Sequence, residues 1–90
     1  MTQPYITATP NPVRAGDYLT ICYTFQEKGP DYVELTVSFK LPSGDFVEYV
    51  LELDREHPCM EPPVHVPNTA ISCVIHDDIG GSDDLTVTVL

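Results

Sequence analysis

From Val33 to Leu41 the chain alternates without a break: Val33, Leu35, Val37, Phe39 and Leu41 are apolar, and Glu34, Thr36, Ser38 and Lys40 between them are polar. Successive side chains of a β-strand point to opposite faces, so this run predicts a strand with one face in a core and the other in water. No window sustains a 3.6-residue apolar period, and no helix of consequence is expected anywhere in the chain.

Turn residues divide the sequence into seven such segments, at residues 4–9 (with a kinked continuation to 14 after Pro10-Asn11-Pro12), 17–26, 32–41, 45–54, 59–66, 70–76 and 84–90. In the second, Leu19, Ile21, Tyr23 and Phe25 share one face, and Thr20, Cys22 and Thr24 the other. In the fourth, joined to the third by the turn Pro42-Ser43-Gly44-Asp45, Val47, Tyr49, Leu51 and Leu53 point inward. Glu48 and Glu52 point outward, and so do two apolar residues, Phe46 and Val50. The sixth segment is expected to bury Ile71, Cys73 and Ile75, and the seventh Leu85, Val87 and Val89. Two antiparallel sheets packed face to face satisfy all of these faces at once, which makes the expected fold all-β and seven-stranded.

Ninety residues make one domain, residues 1–90, in which a chain of this size buries roughly 60–68% of its unfolded surface, enough for one core and too little for the deep pocket of an enzyme. Nine prolines and five glycines are spread as punctuation and 42% of residues are hydrophobic, so the chain is expected to fold. Fourteen Asp and Glu against four Lys and Arg give a formal net charge of −10. Such a charge repels nucleic-acid phosphates and anionic lipid, and speaks against DNA, RNA and membrane surfaces as partners. Cationic partners, divalent metals and neutral ligands such as sugars stay open, as does a role in solubility alone. No stretch approaches the roughly 18 apolar residues of a membrane span. The start Met1-Thr-Gln-Pro-Tyr lacks the basic residues and apolar run of a secretory signal, leaving a cytosolic protein, a mature domain given a start Met, or unconventional export. Val89 and Leu90 end the chain inside the last expected strand.

Seven short strands with turn signals every ten residues or so resemble an immunoglobulin-like or fibronectin type III-like β-sandwich over essentially the whole chain. Thr9-Pro-Asn-Pro-Val-Arg-Ala-Gly-Asp-Tyr-Leu-Thr-Ile resembles the opening of many microbial secreted modules of this kind, and Ile71-Ser-Cys-Val-Ile-His-Asp resembles the penultimate strand. The resemblance implies an extracellular adhesive, carbohydrate-associated or spacer module, with no particular ligand. It departs from antibody-type domains, which bridge the second and sixth strands beside a buried Trp: there is no Trp, and Cys22 has outward parity where Cys73 has inward parity. Since the fifth strand of such a sheet lies antiparallel beside the second, Cys59, also of outward parity, is the better partner for Cys22. The alternatives are a Cys22–Cys59 bridge with Cys73 a buried thiol, or three unpaired cysteines.

In that arrangement the loops after the second, fourth and sixth strands share one pole. They carry Glu27, Asp31, Asp54, Glu56, Asp77, Asp78, Asp83 and Asp84, eight of the fourteen acids, whereas Arg14, Asp17, Lys40 and Asp45 sit at the other. Asp77, Asp78, Asp83 and Asp84 around a Gly-Gly turn offer the oxygens that Ca²⁺ requires, although the spacing is not that of an EF-hand and suits an ordinary hairpin tip equally. His57, Cys59, His65 and His76 match no structural zinc spacing. Cys73 and His76 fall on opposite strand faces, and Ser82 beside Asp83 reads as turn chemistry, so no nucleophilic site is expected. Outward Phe46 and Val50, together with Tyr18, mark a surface for a partner or for a weak homodimer.

The expected function is therefore non-catalytic binding of a protein or carbohydrate through the acidic pole (Asp31, Asp54, Glu56) and the edge-strand surface, without a cofactor. The alternatives are a calcium-dependent, lectin-like binder and a small secreted effector resembling the fungal immunomodulatory proteins of fibronectin-like fold, which act as dimers.

Overall fold

A computed structural model describes residues 5–79 and 81–90. Seven strands run in the order β1 (Ile6–Thr9), β2 (Tyr18–Tyr23), β3 (Tyr32–Lys40), β4 (Phe46–Asp54), β5 (Val64–His65), β6 (Ser72–Ile79) and β7 (Leu85–Val87). They form two antiparallel sheets, β1-β2-β5 and β4-β3-β6-β7. The described residues contain no helix, and so none long and apolar enough to cross a membrane. The expected start of the first strand at residue 4, and Gly80 of the Gly-Gly turn, lie outside the described residues.

The alternation read at Val33–Leu41 organises the core. Val33, Leu35, Val37 and Phe39 are fully buried against Leu19, Ile21 and Tyr23 of the other sheet, with Leu51, Leu53, Cys73, Ile75 and Val87 completing the layer. Burial of this kind stabilises by about 1.5–3 kcal/mol for each large apolar side chain, and it is what holds the two sheets together. At the β3–β4 turn Gly44 has φ +93° and donates its N–H to the Leu41 carbonyl at 2.9 Å, a left-handed backbone that glycine adopts without steric cost.

Some expected boundaries move, each for a local reason. Residues 24–26 leave β2, and Phe25 is only half-buried. The fifth strand shrinks from 59–66 to two residues because Pro58, Pro62, Pro63 and Pro67 supply no N–H for a ladder; before it, Cys59 makes an isolated bridge with Cys22. Ile71, expected inside, is 52% exposed, since β6 begins only at Ser72. Tyr49 keeps its inward parity but is 38% exposed at the edge of the sheet, where its ring meets Phe39 edge-on at 6.0 Å. Leu41, Leu85 and Val89 are half-buried instead of buried.

Beyond Pro10-Asn11-Pro12 the chain leaves β2 and crosses to the other sheet. Fully buried Val13 pairs in parallel with Val89, its N–H donating to the Thr88 carbonyl at 2.9 Å while Leu90 N–H donates to the Val13 carbonyl at 2.8 Å. The crossing ties the two sheets at one end. At the other end β4 and β6 finish and β3 and β7 begin, which gathers the segments 24–31, 55–58 and 81–84 together, and from Cys59 the chain runs back along β2.

Candidate functional site

The acidic end is not bare carboxylate. Arg55, the residue after β4, places its Nε 2.5 Å from Asp31 Oδ1, donates through Nη2 to the carbonyls of Gln26 and, at 3.2 Å, Gly29, and lies 5.8 Å from the centroid of the Phe25 ring. One guanidinium thus ties the β2–β3 loop to the end of β4. Beside it Asp54 Oδ1 accepts the N–H groups of Glu56 at 3.0 Å and His57 at 2.7 Å. The His57 N–H is the largest cause holding the Asp54 carboxyl below its ordinary range. Asp31, Asp54 and Glu56 are therefore brought together, around Arg55, on a shallow groove of about 440 Å³. A second groove of about 550 Å³ follows the chain from Glu52 past His57 and Cys59 to Glu61. Arg55 was legible only as one cation among acids; its part as a clamp depends on which loop folds over it.

Of the four aspartates considered for calcium, Asp77 turns inward while Asp78 and Asp84 flank His76. β6 runs three residues past its expected end at His76, and Asp77 continues the inward series Cys73 and Ile75, only 8% exposed. Its Oδ2 accepts the Ser82 N–H at 2.9 Å, closing the β6–β7 connection from within. The neighbouring Tyr23 hydroxyl is pushed up to about 12, by burial first and by the Asp77 charge second. Asp78 points outward: a bulge sets both Asp77 and Asp78 against Leu35, since Glu34 already faces Ile79, and Asp78 Oδ2 accepts the Thr36 hydroxyl at 2.6 Å. Asp84 joins Asp78 around His76, with Asp84 Oδ1 2.7 Å from Nδ1 and Asp78 Oδ1 3.4 Å from Nε2. Among the described residues, no three His, Cys, Asp or Glu side chains are arranged to hold a metal ion.

His76 between two carboxylates has a raised pKa, chiefly through the Asp84 hydrogen bond. A proton held more tightly in the folded state stabilises the fold below the unfolded value of 6.5, and that contribution is lost as pH rises through the raised folded value. Replacing the residue, His76→Gln, is accordingly expected to cost stability at pH 6 and little at pH 9, as read from urea midpoints of both chains at each pH. An equal loss at the two pH values would mean that packing and not charge sets the role of His76.

The remaining exposed apolar residues also divide. Tyr18 lies on the β1-β2-β5 sheet, 5.2 Å from the His65 ring, and does not join Phe46 and Val50. Those two, 60% and 61% exposed, stand on β4, a nine-residue strand at the edge of the larger sheet. They alternate with Glu48, whose Oε2 accepts the Ser38 hydroxyl at 2.8 Å, and Glu52, whose Oε1 accepts the Tyr32 hydroxyl at 3.2 Å. Both glutamates are thereby held over β3. The two acids near Tyr32, Glu52 ahead of Glu34, join burial in raising the pKa of its hydroxyl, with burial the larger cause. Cys22 and Cys59 are joined by a disulfide, while Cys73 is a buried thiol whose pKa burial pushes up to about 11. No protein-family model, no curated protein and no solved structure matches this chain.

Proposed function

We propose that the chain is a non-catalytic binding module of the immunoglobulin-like, fibronectin type III-like kind, and that it takes a protein partner along the free edge of β4. The strand order supports the first half: β1-β2-β5 against β4-β3-β6-β7 is the arrangement of such a sandwich when its fourth strand joins the sheet of the third, sixth and seventh. The crossing of Val13 from one sheet to pair with Val89 in the other supports it further. The Cys22–Cys59 bridge supports an oxidising, extracellular setting.

One observation carries the second half. β4 is nine residues long, lies at the sheet edge and exposes Phe46 and Val50 where edge strands of soluble proteins usually carry protection. An extended peptide added to such an edge gains main-chain hydrogen bonds and side-chain contacts together. The acidic end, with Asp31, Asp54 and Glu56, borders the same strand and favours cationic partners.

A random peptide display library selected against the chain, run beside a glycan array, tests this reading. Peptides are expected whose binding is lost on Phe46→Asp, with the array at background. Glycan binding, or peptides that hold the Phe46→Asp chain equally well, would overturn it.

A further inference from the structure

The edge of β4 carries information about what can pair with it. Leu41 N–H bonds the Asp45 carbonyl at 2.8 Å at one end of the β3–β4 ladder, and Arg55 N–H bonds the Asp31 carbonyl at 3.3 Å at the other. Bonded and non-bonded pairs alternate along an antiparallel ladder. It follows that Val47, Tyr49, Leu51 and Leu53 turn their peptide groups to β3, and that Phe46, Glu48, Val50 and Glu52 turn theirs to the free edge. Asp54, next in the series, confirms the phase: its N–H is directed away from β3 and bonds the His57 carbonyl at 3.3 Å, so the chain's own loop closes the edge there. The open window is 46–52.

The residues with outward peptide groups also face the outer surface of the sheet, in the order Phe46, Glu48, Val50, Glu52. A second copy of the chain fits this surface poorly. Antiparallel pairing about Val50 sets each Glu48 opposite the other copy's Glu52, and pairing about Glu48 sets two Glu48 side chains face to face. Like charges directly opposite destabilise a strand pair. Pairing about Tyr49 avoids a direct clash only by covering Glu48 with Val50 and Glu52 with Phe46, which strips the glutamates of water without giving them a counter-charge. Two chains of formal charge −10 repel in every register.

Resting on the edge-binding reading above, we infer that the occupant is an extended segment of another protein that pairs antiparallel with 46–52 and carries Lys or Arg at positions i and i+4. Those cations meet Glu52 and Glu48, an apolar residue at i+2 meets Val50, and another at i+6 meets Phe46. Because Ser38 and Tyr32 already hold the two glutamates, little side-chain freedom is lost on pairing.

The probe is the blocked peptide Ser-Lys-Thr-Val-Thr-Lys-Thr-Leu-Ser, followed by amide chemical shifts of the full chain. Shifts are expected at 46–52, with slowed amide exchange at Phe46, Glu48, Val50 and Glu52. The double variant Glu48→Lys/Glu52→Lys is expected to weaken binding by about tenfold or more, and a peptide with Glu in place of both Lys to restore it on that variant. Val50→Pro removes an outward N–H without touching the β3 ladder, and is likewise expected to weaken binding by about tenfold. Equal binding of the Lys and Glu peptides to the native chain would overturn the inference, as would shifts confined to another surface, or a homodimer in which the 46–52 amides are protected. If the display library yields peptides that map to β4 but carry no basic pair, the edge reading stands and this inference fails. If nothing maps to β4, both fail.

Discussion

Loss of the Cys22–Cys59 bridge, by Cys22→Ser with Cys59→Ser, is expected to lower the free energy of unfolding by about 3–4 kcal/mol. The bridge closes a loop of sequence separation 37, and the entropy that such a closure removes from the unfolded chain is worth about 3–4 kcal/mol in the chain-entropy account. For a chain of ninety residues, whose whole stability is on the order of 5–13 kcal/mol, that is a large share. The local structure adds to the expectation. Between the end of β4 and the two-residue β5, the backbone is tied to β2 beside the disulfide through Tyr23 N–H to the Pro58 carbonyl and Met60 N–H to the Ile21 carbonyl, both at 2.8 Å. Pro58, Pro62 and Pro63 donate nothing. Urea unfolding of both chains measures the effect, with a steeper transition for the variant because its unfolded state exposes more surface. Cys73, fully buried and with its thiol pushed up to about 11, stays inert to alkylation until the fold opens, so its labelling rate reports the same loss independently. Midpoints that agree within error would place the stability elsewhere.

The two-layer all-β architecture could be read from alternation, and the reason is physical: parity is imposed residue by residue, and one buried face fixes the register of a strand. It worked where both faces were distinct, as at Val33–Lys40, where burial follows the sequence position by position. It failed at Ile71, where parity was right for a strand that had not yet started, and at Tyr49, where an inward side chain near a sheet edge still meets water. Asp77 is the instructive case. Its position continues Cys73 and Ile75, but an aspartate before Gly-Gly has the chemistry of a turn, and that chemistry hid the inward face. The Ser82 N–H from the connection that follows and the Tyr23 hydroxyl from β2 stand beside that carboxylate, whose Oδ1 is buried without a hydrogen-bond partner among the described residues. The same holds for the candidate site. Phe46 and Val50 stood out as apolar residues of outward parity, whereas the clamp at Arg55, the anchoring of Glu48 and Glu52, and the distance of Tyr18 from the β4 surface depend on which strands become neighbours.

Two phenylalanines, seven positions apart, are expected to answer substitution in opposite ways. Phe39 is fully buried at the end of β3, faces Val47 on one side and Cys73 on the other, and receives the Tyr49 ring edge-on at 6.0 Å. Phe39→Ala removes the largest fully buried side chain among the described residues and leaves a cavity beneath β3, which is held in place by β4 on one side and β6 on the other. The expected cost is about 3–5 kcal/mol, which for a domain of this size lowers the melting temperature by well over about 10 °C. Phe46, on the opposite face of the same hairpin, lies across from Lys40 and is 60% exposed. Phe46→Ala is expected to change stability by no more than about 0.5 kcal/mol, while weakening whatever pairs with the edge of β4. Urea midpoints set beside peptide affinities separate the two roles. Should Phe46→Ala unfold the chain as readily as Phe39→Ala does, its ring would belong to the core, and the surface on which the proposed recognition depends would not exist.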